Sequence, residues 1–427
     1  MSSNELLTKN KKLVVLTSRF PFPPGEEFFE TEIKYLSNEF QEIHIIPVNV
    51  KRDDSNQPRD IPQNVHVHGL QPELPSIKKT DLIKKMLLDS QGKQWFLRES
   101  KYLFPNYLSA FFKTANWVGL AVEIRKNLLS IIEENQFDFS DTIFYSYWLG
   151  PSATALAMMK EIEPSIKVVS RAHGGDLYAY RHSTPFMPTQ KETVKRLNQV
   201  FVISQDGRNY LSDLYPEVSS KFSVSRLGTK KTEGKSSPSE DGILRIFSCS
   251  NMLPVKRLDL LIDTLKHCKE TIIWSHIGEG PLKEELEKKV KEELPANVKC
   301  EFLGRKKNAE VLAYYQSHPV DLFINVSSSE GIPVSIMEAY SFGIPSFATD
   351  VGGTKELVDE TNGKLIDKDF DIVELAKEID HFAALSQEER ENYRRAAYKK
   401  WEDSFYSETN YSLFAKKLKE FEGKYNE

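Results

Sequence analysis

The sequence predicts an α/β protein of two domains, each a parallel sheet covered by crossover helices. Three observations carry this. Short apolar runs alternate with amphipathic helical patterns along nearly the whole chain, the pattern of strands buried on both faces and joined by helices. The chain has 427 residues, 40% of them hydrophobic, which suffices for two ordinary cores and is too long for one. One polar interruption rich in Ser and Gly, KKTEGKSSPSEDG from Lys230 to Gly242, separates two sets of strand-like runs and reads as a linker.

In the first domain, residues 1–229, strands are expected at Leu13–Thr17, Ile43–Val48, Thr142–Tyr145, Lys167–Ser170, Val200–Ile203 and Phe222–Val224. A helical insertion at residues 78–135 mixes basic residues with aromatics, among them Trp95, Phe96, Phe104, Tyr107, Phe112 and Trp117. It reads first as an added helical layer with an aromatic core, and second as a stretch able to meet a membrane interface or a lipid-linked acceptor. The second domain, residues 243–400, has strands expected at Leu244–Cys249, Thr271–Ile277, Val298–Phe302, Asp321–Asn325, Ser346–Thr349 and Gly363–Ile366. From Ser386 the pattern is helical again, and residues 401–427 form a helical tail that packs on one domain or the other.

Composition narrows the function. A net charge of -5 gives no bias toward nucleic acid. Cys249, Cys268 and Cys300 are widely spaced and odd in number, which argues against disulfides and a zinc site and fits a reducing cytoplasm. The amino-terminal apolar run is too short for a signal-peptide core, and no stretch reaches the length of a membrane span.

Ligands of open α/β sheets gather beyond the carboxyl ends of the strands, and that rule selects four segments. The first is SRFPFPPGEEF, where prolines stiffen the loop and Gly25 permits close backbone approach. The second is SRAHGGDLYAYR, with His173 at a strand end and Asp176 three residues on. The third, SCSNMLPVKRLDLLIDTL, puts Lys256 and Arg257 at the start of a helix. Cations are disfavoured there by the helix dipole unless an anion binds. The fourth, SSSEGIPVSIMEAYSF, places Glu330 in a loop and Glu338 two turns into a helix over Pro333–Phe342. Unpaired amides at that helix start form an anion site with a carboxylate on either side. Carboxylates accept from sugar or ribose hydroxyls while amides and cations hold phosphate, and a nucleotide sugar carries both chemistries.

At these residues the sequence resembles the retaining GT-B glycosyltransferases of glycosyltransferase family 4. The likeness covers nearly the whole chain and is strongest from Ser248 to Val358, where the E-x7-E pair, the lysine loop, HIGEGPLKEEL and ATDVGGTKELV follow in family order. It implies two Rossmann-like domains whose parallel sheets face a central cleft, and a nucleotide-diphosphate sugar donor. It also implies a glycan or lipid-linked glycan acceptor and surface polysaccharide synthesis. By position, Glu330 would contact the transferred sugar and Glu338 the ribose. Lys256 would meet the diphosphate, helped by Arg257 because Asn251 stands where the family has arginine. His173 would position the sugar. Gly25, Gly331, Val334, Ser335 and Asp176 would complete donor binding, with Pro333 removing one amide. Domain closure would bring His173 toward Glu330.

No cofactor and no metal is expected, because the D-x-D pattern Asp367-Lys368-Asp369 precedes a helix it can cap. The location expected is cytoplasmic, with peripheral contact at the inner face of the plasma membrane. A nicotinamide oxidoreductase fits poorly, because the loop after the first strand is proline-rich and not G-x-G-x-x-G. A non-catalytic partner subunit of a glycosyltransferase complex, or an epimerase or phosphorylase on the same fold, is the alternative that an assay of donor hydrolysis and transfer separates.

Overall fold

The structure is a computed structural model describing residues 11–50, 57–69, 77–103 and 110–421. Phe104 and Tyr107 of the insertion, and the first ten residues, lie outside the described set. The chain divides into two units, one of Met1–Leu227 with Glu408–Glu427, the other of Gly228–Ser407.

The first unit is built on seven parallel strands: β1 (Lys12–Thr17), β2 (Glu42–Pro47), β3 (Val65–Val67), β4 (Thr142–Ser146), β5 (Lys167–Ala172), β6 (Gln199–Val202) and β7 (Phe222–Val224). Their order is β3-β2-β1-β4-β5-β6-β7. Alternate residues serve opposite cores, as the two-residue strand period requires. Val14, Leu16, Phe144 and Val168 face one side, and Leu13, Val15, Ile143 and Val169 the other. The first side is covered by α4 (Phe111–Glu134) and α5 (Pro151–Ile162), which follow α2 (Lys79–Leu88) and α3 (Ser90–Leu103). The second is covered by α1 (Glu27–Glu39). Shorter helices α6 (Gly174–Leu177), α7 (Gln190–Arg196) and α8 (Gln205–Leu214) join the last strands.

The second unit has six parallel strands: β8 (Leu244–Cys249), β9 (Ile272–Ile277), β10 (Val298–Phe302), β11 (Leu322–Asn325), β12 (Ser346–Thr349) and β13 (Gly363–Ile366), in the order β10-β9-β8-β11-β12-β13. The connecting helices are α9 (Leu258–Leu265), α10 (Lys283–Glu293), α11 (Asn308–Ser317), α12 (Val334–Ser341), α13 (Ile372–Ala384) and α14 (Gln387–Ser404). The final helix, α15 (Ser407–Lys419), brings Phe414, Ala415 and Leu418 into the second-side core of the first unit.

That return is anchored by a buried ion pair. Arg171 and Glu32 are both fully buried and bonded to each other, and Arg171 Nη2 donates to Ser225 O at 2.8 Å while its guanidinium lies 4.7 Å from the Phe414 ring. Burial works against its charge, but Glu32 more than offsets this and holds Arg171 above its ordinary range.

The polar stretch 230–242 belongs to the second unit. Arg394 bonds to Ser236 O, and Ser239 donates its amide and hydroxyl to Asp321 at 2.8 and 2.6 Å. The unit boundary falls just before it, between Leu227 and Gly228. Polar composition was a sound sign of exposure, but these side chains satisfy one another along the edge of the unit. Among the described residues no helix is long and apolar enough to cross a membrane.

Candidate functional site

Both sheets reverse their strand order once, beside β1 and β4 in the first and beside β8 and β11 in the second. Crevices open beyond the strand ends at such points. Gly25, Lys256 and Glu330 follow strands at these two points, and His173 follows β5, one strand further along.

In the second unit a small void of about 10 Å³ at the carboxyl ends of β8 and β11 is lined by Ser248, Cys249, Ser250, Lys256, Asn325 and Ser327, with apolar side chains such as Leu258 and Phe323 behind them. Lys256 Nζ donates to Glu330 Oε1 at 2.6 Å, and Asn325 Nδ2 reaches the same oxygen at 3.3 Å. The Glu330 loop is held from behind by Gly352, whose φ of +55° is left-handed and whose missing Cβ would stand 2.0 Å from Glu330 O. Only glycine fits there. The amide of Gly353 donates to Gly331 O at 2.7 Å, so the glycine pair and the acidic loop form one assembly.

The helix that follows is α12, with Pro333 as its N-cap. Proline therefore costs only the N-cap amide. Ile336 and Met337 donate back to Pro333 O, while the amides of Val334 and Ser335 have no intrahelical acceptor. The buried hydroxyls Ser327 Oγ and Ser329 Oγ in the same loop have no hydrogen-bond partner. Unsatisfied buried donors beside a helix start and a lysine make a receptor for an anion.

Glu338 lies on α12, with Oε1 accepting from Asn308 Nδ2 at 2.6 Å. Burial pushes its carboxyl up to about 7, the amide of Asn308 opposing this. Cys249, whose thiol burial pushes up to about 12, feels the charges of both Glu338 and Lys256. Glu338 and Lys256 thus both lie near the end of β8. A relay steadies that end: Trp274 Nε1 donates to Ser248 Oγ at 2.8 Å, and Ser248 Oγ lies 2.7 Å from His276 Nδ1. His276 Nε2 lies 3.1 Å from Ser250 O. The neutral imidazole that donates through Nε2 satisfies every member, and burial pushes His276 down to about 4.

Arg257 is placed differently from expectation. It is the left-handed N-cap of α9 at φ 50°, and its guanidinium donates to Val326 O and Lys368 O, each at 2.7 Å, and to Ser327 O at 3.3 Å. It clamps two loops by their carbonyls, which is why a cation is tolerated at a helix start. The D-x-D reading also changes in detail, because the cap of α13 is Asp371, which accepts from Val373 and Glu374, and Asp367 and Asp369 stand exposed before it.

In the first unit, His173 follows β5, with its ring 4.8 Å from Tyr147 and 4.4 Å from Trp148. Both its ring nitrogens are buried without a hydrogen-bond partner. Asp176, expected at the donor, instead accepts from the amides of His173 at 2.5 Å and Leu149 at 2.7 Å. It shapes the loop around the histidine. Gly25, at φ +94°, lines a cavity of about 330 Å³ with Ser18, Arg19, Pro24, Glu26 and Trp148.

Sequence reasoning passed over Glu26 and Trp148. The buried Glu26 carboxylate accepts from the amides of Ser18, Arg19 and Phe20 at 2.6–2.7 Å and from Trp148 Nε1 at 2.7 Å. One side chain thereby fixes the proline loop and the indole packed on His173. The signal was available, since Trp148 follows β4 just as His173 follows β5.

Residues 229–400 match the family described as Glycosyl transferases group 1. The matched stretch falls within the second unit. The O-antigen biosynthesis glycosyltransferase WbnH of Escherichia coli is 30% identical over 222 residues, which is 47% of this chain and 59% of the relative. The chain thus spans less than two thirds of that relative's length. Among solved structures, the lipopolysaccharide outer core galactosyltransferase WaaB, in its apo form, matches with a TM-score of 0.68 at 14% identity, covering 95% of this chain and 99% of WaaB. HepE of Anabaena in complex with UDP and glucose matches with a TM-score of 0.64 at 16% identity, covering 96% and 100%. These whole-chain likenesses show the fold, which is GT-B with two Rossmann-like units.

Proposed function

We propose that the protein is a retaining glycosyltransferase that moves a sugar from a nucleotide-diphosphate sugar to a glycan or lipid-linked glycan acceptor in surface polysaccharide synthesis. The observation that carries this is the Lys256–Glu330 pair at the start of α12, beside two unsatisfied buried hydroxyls, inside the stretch that matches the group 1 family. WbnH's role in O-antigen biosynthesis and the UDP and glucose bound to HepE support the acceptor class and the donor class.

In this reading Lys256, the Val334 and Ser335 amides and Ser327 bind the diphosphate. Glu330 holds hydroxyls of the sugar, and Glu338 holds the ribose. The acceptor oxygen attacks the anomeric carbon on the face the diphosphate leaves. The bond to the leaving oxygen breaks with its electron pair on phosphate, and the acceptor proton passes to a phosphate oxygen. No protein nucleophile is needed, and His173 positions the sugar.

Stabilising the leaving charge is the main task. The helix start contributes at most about 2 kcal/mol, little more than one decade in rate. Lys256 adds about 1.5–3 kcal/mol as a charge-assisted donor. These groups take the part a metal would play, and the reading is metal-independent. The setting proposed is cytoplasmic, which the three free cysteines fit.

The test is a thermal-shift screen against nucleoside diphosphates, followed by transfer with the best donor and measurement of the product's anomeric configuration. Retention with a glycan acceptor is expected. Inversion, or no donor binding by any nucleotide, overturns the reading.

A further inference from the structure

The helical insertion carries a surface the reaction does not use. Between Lys78 and Lys113 the sequence has eight basic and three acidic side chains, a net +5 in a chain whose total is -5. Two of the three acids are withdrawn from the surface. Asp89 is paired with Arg125 at 2.6 Å, and Glu99 is buried, accepting from the amide of Thr189 at 3.1 Å. Among the bases, Lys84, Lys85 and Arg98 are paired with Asp81, Glu123 and Glu161, while Lys78, Lys79, Lys93 and Lys101 stand exposed.

Bulky apolar side chains lie among them. Leu88 is 83% exposed, Phe112 68%, Leu97 59% and Leu87 52%. Folding does not leave such groups in water for stability, and their clustering on one insertion marks an interaction surface.

Helix geometry makes the surface continuous. On α3, Lys93, Leu97 and Lys101 are spaced by four and form one outward stripe. The opposite side of α3 buries Trp95, Phe96 and Glu99 against the unit. Leu87 and Leu88 end α2 at the amino-terminal end of this stripe. Phe111, which opens α4, packs edge-on against Phe96 of α3 at 4.7 Å, and the exposed Phe112 follows it.

We propose that this face docks the protein on an anionic lipid bilayer, with Leu87, Leu88, Leu97 and Phe112 entering the interface and the lysines meeting lipid phosphates. Interleaved lysine and large apolar side chains on an amphipathic helical layer match the two forces a membrane interface offers. A protein partner would be expected to cover the apolar groups with less need for a strong positive excess. The inference stands apart from the proposed reaction, since docking needs no nucleotide.

The full chain is sedimented with vesicles of two parts phosphatidylcholine to one part phosphatidylglycerol, and with vesicles of phosphatidylcholine alone. Binding to the anionic vesicles only, weakening as salt rises, is expected. Each lysine near such a surface is worth roughly a factor of five, so Lys93→Glu with Lys101→Glu lowers binding by at least about 25-fold. Leu88→Ser with Phe112→Ser lowers it by roughly 100-fold. Both pairs are exposed, and an unchanged melting temperature confirms that folding is intact. Absence of vesicle binding, equal binding to both compositions, or wild-type binding by both variants overturns the proposal. Binding by a chain that transfers no sugar supports the docking face while the reaction fails on its own assay.

Discussion

Glu338 should make nucleotide binding depend on pH near neutrality. Burial raises its carboxyl from an ordinary 4.5 to about 7, so the unliganded protein holds it protonated through mildly acidic conditions. Two ribose hydroxyls donating to it favour the ionised form and return it toward the ordinary range. Linkage then sets the size: affinity rises by roughly 10- to 100-fold between about pH 5 and about pH 8, and levels off above the folded value. The assay is titration calorimetry with an intact nucleotide-diphosphate sugar, whose diester phosphates do not titrate in that window. Glu338→Gln keeps the shape and cannot ionise. It should bind with a flat profile, and at about pH 8 with roughly tenfold lower affinity, since a charge-assisted bond is exchanged for a neutral one. The unliganded protein supplies a second check of sign. A raised carboxyl stabilises the fold below its unfolded value and loses that contribution as pH rises through about 7. A flat wild-type binding profile, or an unchanged slope in the Gln variant, refutes the assignment of Glu338 to the ribose.

Other outcomes follow from the same geometry. Lys256→Met should lower kcat/KM by roughly 10- to 150-fold, the worth of one charge-assisted bond to the leaving group; steady-state kinetics check it, and an unchanged value removes Lys256 from the leaving-group site. His276, held down near 4 by burial, is neutral when folded, while the unfolded chain protonates from about pH 6.5 downward. Its contribution is therefore complete above about 6.5 and lost as pH falls toward 4, by roughly 3 kcal/mol at most; His276→Gln should flatten that part of the urea-stability profile. Arg171→Leu alone should cost about 3–5 kcal/mol by stranding Glu32, and Arg171→Leu with Glu32→Leu should recover most of it in urea unfolding. Transfer should persist in excess chelator, and abolition rescued by manganese would reverse the metal-independent reading.

The parallel sheets were legible because buried strands advertise themselves as short apolar runs, and twelve such runs correspond to observed strands within one or two residues. β3 was missed for the same reason inverted. It is a three-residue edge strand in which only Val65 is buried, so it leaves no run to read. Across residues 230–242, polar residues tied to one another look, in sequence, like polar residues tied to water. Only the fold shows that Arg394 reaches Ser236 and Asp321 reaches Ser239.

The site residues divide by a criterion that sequence does not contain, namely how much hydrogen-bonding capacity the fold has already consumed. Glu26, Asp176 and Arg257 stand at strand ends beside Gly25, His173 and Lys256, and by position they are equal candidates. Yet Glu26 accepts four N–H groups, Asp176 two amides, and Arg257 donates to three carbonyls. Such groups hold loops. Lys256 has one bonded partner, Glu330, for three donors, and Glu330 receives both of its contacts on Oε1, leaving Oε2 without a protein partner among the described residues. His173 spends neither ring nitrogen. A buried polar group left unsatisfied costs about 1–3 kcal/mol, and the Glu330 loop, which carries Ser327 Oγ and Ser329 Oγ both unspent, is arranged to recover that cost from a ligand.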